Sequence, residues 1–218
     1  MKLRVSFARA RSPWTAIQYL FLILAIACLG LYGYTYIERV VYQAYESRLF
    51  DNAVGGIEGV VPAARESAPA AQPAFPVSVI GRLSIPRLQF SAMVREGLAP
   101  RTLRVAIGHI PSTPLPGQAG NAGLAGHRDT FFRALKDLRL RDEILFETPR
   151  GNFKYRVESL SVVGPSDVKV LAPSRENVLT MVTCYPFWYI GSAPKRFVVR
   201  AKQAPTEPPP NRAGLEIR

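Results

Sequence analysis

The side chains able to attack a carbonyl are few: two cysteines, Cys28 and Cys184, with two histidines, His109 and His127, to serve them. Cys28 lies inside an apolar N-terminal run, so the downstream chain carries a single thiol, Cys184. A thiol attacking a carbonyl needs a means of becoming thiolate, a proton donor for the leaving group, and positive charge where the oxyanion develops. Cys184 closes the run Asn177-Val-Leu-Thr-Met-Val-Thr183 and is followed by Tyr185-Pro186, which stops a strand. Arg196 opens the next run, Arg196-Phe-Val-Val-Arg200, after an aromatic-rich connection over residues 185–195. If the two runs are antiparallel neighbours, the end of one strand lies beside the start of the next, and Cys184 meets Arg196 at one rim of the sheet. A buried small hydrophobe is the commonest fate of a free cysteine, and that reading stays open for Cys184 taken alone.

His127 follows Gly120-Asn-Ala-Gly-Leu-Ala-Gly126, a small-residue strand whose side chains let another backbone or a ligand come close. At a strand end ahead of a helix, its imidazole is exposed enough to exchange protons. His109, in Ile107-Gly-His109-Ile-Pro111, precedes the Pro-rich connection 111–116 and reads as a loop or packing histidine. Arg200 shares the face of Arg196 by alternation but lies nearer the far end of its strand, which makes it the second choice.

The elements that must hold these groups are short β-branched runs separated by Gly/Pro turns: residues 79–85, 89–94, 122–125, 143–148, 152–163, 177–183 and 196–201. Phe153, Tyr155 and Val157 alternate with Lys154 and Arg156, the period of a half-buried strand. The clearest helix is 130–138, where Phe131, Leu135 and Leu138 recur at i, i+4 and i+7 behind the N-cap candidate Asp129. The count predicts a mainly antiparallel β-barrel or sandwich with one or two short helices.

The 218 residues suffice for one ordinary domain with flanking segments, and two cysteines are too few for a disulfide framework or a Cys-rich zinc site. Residues 1–11 hold Lys2, Arg4, Arg9 and Arg11 without an acid, and an uncharged apolar stretch follows from 12 to 37, long enough to span a bilayer as one helix. The positive flank predicts a cytoplasmic N terminus and an exported remainder, with Trp14, Tyr19, Tyr32, Tyr34 and Tyr36 at the two interfaces. Two alternatives compete: a signal-peptidase site at Ala25-Ile26-Ala27, and lipidation of Cys28 behind the same tripeptide. The apolar run continues through Leu31 and Tyr36, which a cleaved signal does not require, so an uncleaved signal anchor is preferred.

The predicted organisation is thus a cytoplasmic basic tail at 1–11, a signal anchor at 12–37, a stalk with an Ala/Pro-rich linker at 38–76, a catalytic domain at 77–203, and a disordered Pro-rich tail at 204–218. Of the net charge of +12, +10 falls in residues 76–203. Such a surface suits nucleic acid, anionic lipid or an anionic wall polymer. No zinc-finger spacing, basic heptad helix or aromatic single-strand platform accompanies it, which argues against a nucleic-acid partner.

Three segments together resemble the sortases, cysteine transpeptidases of bacterial surfaces: Gly120-Asn-Ala-Gly-Leu-Ala-Gly-His127, then Leu179-Thr-Met-Val-Thr-Cys184, then Lys195-Arg196-Phe-Val-Val. The resemblance runs from about residue 79 to 201, and Cys-Tyr-Pro-Phe with Gly191-Ser-Ala-Pro194 looks most like class D and related branches. It implies an eight-stranded β-barrel behind one transmembrane helix. Cys184 would be the nucleophile, His127 the general acid/base and Arg196 the cation on oxyanion or substrate, with Thr180, Thr183 and Gly126 contacting substrate.

The implied substrate is an exported protein with an LPXTG-like sorting signal, and the implied acceptor an amine from peptidoglycan or a pilin lysine. No cofactor or metal is implied; some sortases bind calcium, so calcium dependence stays open although no dense carboxylate cluster appears. Met181 stands where the family usually has Leu, a volume-conserving exchange, and Arg141-Asp142-Glu143 stands where it often has Gly-Asp, so the turn there is expected to differ. Two other readings keep the same residues: a different exported cysteine acyl transferase or peptidase, and a non-catalytic anchored assembly factor. The Ser-x-Gly-Cys setting of L,D-transpeptidases is absent.

Overall fold

The computed structural model describes residues 13–55 and 79–205. The basic segment 1–11, the Gly/Ala/Pro part of the expected linker and the tail beyond 205 lie outside the described residues. Helix α1, Pro13–Gly55, includes a stretch from Trp14 to Val54 long and apolar enough to cross a membrane. It belongs to two compact units, Met1–Val41 and Tyr42–Arg218.

The second unit is built on eight strands: β1 Val79–Ile85, β2 Phe90–Glu96, β3 Ile107–His109, β4 Asn121–Ala125, β5 Glu143–Thr148, β6 Gly151–Val163, β7 Val178–Tyr185 and β8 Lys195–Gln203. They close into the barrel β1-β2-β3-β4-β7-β8-β6-β5, the eight-stranded fold that the resemblance implied. Two ladders are parallel, β2 with β3 and β4 with β7, and the rest antiparallel. Alternation produces the core. On β5, Ile144, Phe146 and Thr148 point inward, and on β6, Tyr155 and Val157 are buried between exposed Lys154, Arg156 and Glu158. Fully burying a side chain of this size contributes about 1.5–3 kcal/mol, so Phe132, Phe146, Leu83, Leu124, Leu179 and Met181 together form the main driving force for closure.

In this unit the last turns of α1 lie on the barrel. Gln43 donates from Nε2 to Val105 O at 2.7 Å and accepts the Met93 N–H at Oε1, 2.8 Å away, while Asp51 pairs with Arg82 on β1. Phe50 is buried beneath the Arg82 guanidinium.

Four short elements escape the sequence pattern: helix α2 Pro100–Val105, the 3-10 turns Pro86–Leu88 and Val168–Leu171, and strand β3, whose three residues are too few to show alternation. The expected α-helix at 130–138 is a 3-10 helix, Phe131–Asp137, preceded by Thr130 rather than capped by Asp129. Its buried residues explain the correction. Phe132, Leu135 and Leu138 recur every three positions, the 3-10 period, and the Leu138 N–H donates to Leu135 O.

At the turn into β5, Arg141 adopts φ 71°, the left-handed conformation that favours glycine. The position where the resemblance places Gly thus keeps a glycine-like backbone with an arginine on it. Beside it, Arg87 donates from Nε and Nη2 to Asp142 Oδ1 and Oδ2, each at 2.6 Å, and again from Nη2 to Asp137 O. That fork holds the Asp142 carboxyl below the usual carboxylate range, with the Arg139 N–H adding to it against the cost of burial.

Candidate active site

The barrel has two rims. At one lie the ends of β4 and β7 and the start of β8; at the other lie the starts of β4 and β7 and the ends of β2, β3 and β8.

Cys184 and Arg196 meet at the first rim as register partners in the antiparallel β7–β8 ladder. Directly opposed residues put their side chains on the same face with Cβ atoms about 4.5–5.5 Å apart. That face is the outer one, because Leu179 and Met181 of β7 and Val199 and Ala201 of β8 point into the core. Both Cys184 and Arg196 are half-buried.

His127 arrives by a different route. β4 runs parallel to β7 with Ala125 opposite Val182, and the ladder continues as the Gly126 N–H donates to Val182 O at 3.3 Å. His127 comes two residues past the end of β4, at the rim where β7 carries Cys184. The His127 carbonyl accepts the Phe132 N–H at 3.0 Å, which fixes its backbone to the first turn of the 3-10 helix, while the ring is exposed.

Three residues expected to touch substrate lie in the joint between β4 and β7. Thr183 is buried and donates to Gly126 O at 2.7 Å, and Thr180, with no exposed surface, donates to Asn121 Oδ1 at 2.6 Å. Asn121 in turn donates from Nδ2 to Val170 O and Ala172 O, tying the β6–β7 connection to this joint. Gly126 is small because a Cβ there would meet the Phe132 ring at 3.0 Å. Gly123 likewise faces Ile110 and Leu171, so the small-residue run admits protein packing at this point.

The remaining candidates lie elsewhere. Arg200 stands opposite Thr180, four residues along the ladder from the Cys184–Arg196 pair, and pairs with Glu158. His109 is buried at the opposite rim, its Nδ1 2.8 Å from Glu96 Oε2 and its Nε2 3.0 Å from Pro114 O and 3.1 Å from Thr113 Oγ1. It ends β3 and locks the following turn. Among the described residues no group of three or more His, Cys, Asp and Glu is placed to hold a metal ion.

The connection from β7 to β8 walls the site. Tyr185, Phe187 and Phe197 form an aromatic cluster with ring centroids 5.3 to 6.2 Å apart, while Trp188 and Ile190 project outward. The Arg196 guanidinium donates from Nη1 to Ala193 O at 3.1 Å and Lys195 O at 2.9 Å, so in this state it is turned to its own loop. Arg128, next to His127, reaches the same loop at Tyr189 O and Gly191 O. Arg128 follows His127 in the sequence, and its reach to the β7–β8 loop comes only with the fold.

A sortase-domain model matches residues 83–204, more than half of the chain. Sortase D of Bacillus subtilis strain 168 is 32% identical over 124 residues, covering 56% of this chain and 63% of its own length. Sortase SrtE1 of Streptomyces coelicolor is 35% identical over 123 residues, which is 48% of this chain and 35% of that protein. The chain therefore spans under two thirds of the length of these relatives. Among solved structures, a lid mutant of sortase A from Corynebacterium diphtheriae superposes with a TM-score of 0.56 at 27% identity, covering 76% of this chain and 96% of that one.

Proposed function

This chain belongs to the sortase family, and from that premise we propose that it is a membrane-anchored cysteine transpeptidase acting on exported proteins with an LPXTG-like sorting signal. The observation that carries the reading is the Cys184–Arg196 register pair, with His127 at the end of the parallel neighbour strand.

In the proposed cycle Cys184 Sγ attacks the Thr carbonyl carbon of the signal, and the carbonyl oxygen takes up negative charge. Arg196 turns from Ala193 O and Lys195 O towards that oxygen or the adjacent substrate backbone. His127 gives a proton to the departing amine, the C–N bond breaks, and a thioester joins the substrate to Cys184. An amine acceptor such as a peptidoglycan or pilin amino group then attacks the thioester carbonyl, His127 takes the proton, and the thiolate leaves. Thr180, Thr183 and Gly126 act through the β4–β7 joint: their bonds set the spacing of the strand ends that carry His127 and Cys184.

For location, the apolar stretch of α1 is the proposed anchor, with the basic N terminus inside and the barrel on the outer face of the cytoplasmic membrane. The test is to incubate the protein with a fluorogenic LPXTG-type peptide and an amine acceptor, beside Cys184→Ala. The parent cleaves, exchanges the acceptor in and forms a thioester adduct detectable by mass; Cys184→Ala does none of these. Equal turnover by Cys184→Ala would sink the mechanism.

A further inference from the structure

We propose that Arg128 is a positioning residue that straps the outer half of the β7–β8 loop across the cleft and thereby fixes the wall against which the substrate peptide binds. The inference rests on the transpeptidase reading above.

Two guanidinium groups hold the loop at four alternate carbonyls. Arg128 donates from Nη2 to Tyr189 O at 2.5 Å and Gly191 O at 3.0 Å, and Arg196 donates from Nη1 to Ala193 O and Lys195 O. Arg128 also lies over the Tyr189 ring, 5.8 Å from its centroid, a cation–π contact. Its Nη1 is buried without a hydrogen-bond partner among the described residues, so the two-carbonyl contact and the ring account for where this group sits.

The tip has little else to hold it. Trp188, 79% exposed, keeps only an edge-on contact with the Tyr185 ring at 6.4 Å between centroids, Ile190 is 96% exposed, and a backbone turn from Tyr189 N–H to Pro186 O spans 3.3 Å. A segment with few buried contacts opens at low cost unless an outside group restrains it. Arg128 supplies that restraint from the residue after His127. It therefore joins the strand end carrying the proton donor to the loop that leads into Arg196. When Arg196 turns to substrate it releases Ala193 O and Lys195 O, and the loop is then held from outside by Arg128.

The test compares the full-length parent with Arg128→Ala and Arg128→Lys in detergent, by hydrogen exchange and by kinetics on the fluorogenic LPXTG-type peptide. In Arg128→Ala, amides of residues 187–193 exchange about tenfold faster or more while those of β7 are unchanged, as expected when a restraint is lost from an intact barrel. KM rises about tenfold and kcat stays within about threefold, the pattern of lost ground-state positioning, with the pH profile unmoved. Arg128→Lys recovers only part of either effect, because a lysine lacks the planar fork and the ring stacking. Unchanged loop exchange in Arg128→Ala overturns the proposal, and so does faster exchange with unchanged KM. If the parent cleaves no peptide, the transpeptidase reading fails, and the strap is decided by the exchange result.

Discussion

Cys184 and Arg196 are register partners on β7 and β8, yet the Arg196 guanidinium is engaged by the carbonyls of Ala193 and Lys195 in the loop that joins the two strands. The cation is stored beside the thiol and not on it. Its release costs two charge-assisted hydrogen bonds, and an oxyanion that forms next to Cys184 is the acceptor able to replace them.

Arg196→Ala is accordingly expected to lower kcat by about 10²–10³-fold, the usual loss for a donor that acts on developing charge. Steady-state cleavage of the fluorogenic peptide reads this directly. A loss below tenfold would remove Arg196 from the reaction and leave it a loop anchor.

The two histidines should separate cleanly. His127→Ala loses about 10²–10⁴-fold in rate, the range for positioned proton transfer, with little change in denaturation midpoint. His109→Ala does the reverse: it leaves Pro114 O and Glu96 without their buried partner and destabilises by about 1–3 kcal/mol, with kcat nearly kept. Urea unfolding and peptide cleavage on both variants check the pair, and an inactive, stable His109→Ala would reverse the assignment.

Thr180→Val keeps the shape and removes one proton donor. Asn121 Oδ1 is buried, so it would be left unsatisfied at a cost of about 1–3 kcal/mol. Chemical denaturation should show this loss, whereas KM for the peptide changes little. A large rise in KM at unchanged stability would return Thr180 to direct substrate contact.

The Arg87–Asp142 fork sets an acid limb to stability. Because the folded Asp142 carboxyl titrates below its ordinary value, its contribution is complete above the unfolded pKa of about 4 and is lost as pH falls through the lower folded value. Asp142→Asn should be less stable than the parent at neutral pH, and the gap should close as unfolding is measured towards pH 2. A gap that stays constant with pH would show that the carboxylate charge is not what matters.

The alternation of Tyr155 and Val157 with Lys154 and Arg156 is strong enough to be read without coordinates, and so is the placement of Cys184 at a strand end with Arg196 opening the next. Both depend on neighbours in sequence joined by one hairpin-like connection. The delivery of His127 to the rim that carries Cys184 is of another kind. It depends on β4 and β7 pairing in parallel across 57 positions, and no local pattern encodes which distant strand a small-residue run will choose.

Thr180, Thr183 and Gly126 show the same gap at finer grain. A motif places them beside the nucleophile, but only the register reveals that their polar groups face each other and Asn121 across the joint. The 3-10 helix is ambiguous in sequence because Phe131, Leu135 and Leu138 also satisfy the α period, and burial of Phe132 decides between the two.

Among the described residues β8 is the last strand, and it lies between β7 and β6. A chain ending before Lys195 would hold both Cys184 and His127 but no ring: two strand edges, β6 and β7, would stand open, each a template for pairing with another molecule. The thiol is therefore synthesised before the strand that closes the ring beside it, and the Lys195–Gln203 segment delivers that strand and Arg196 in one step.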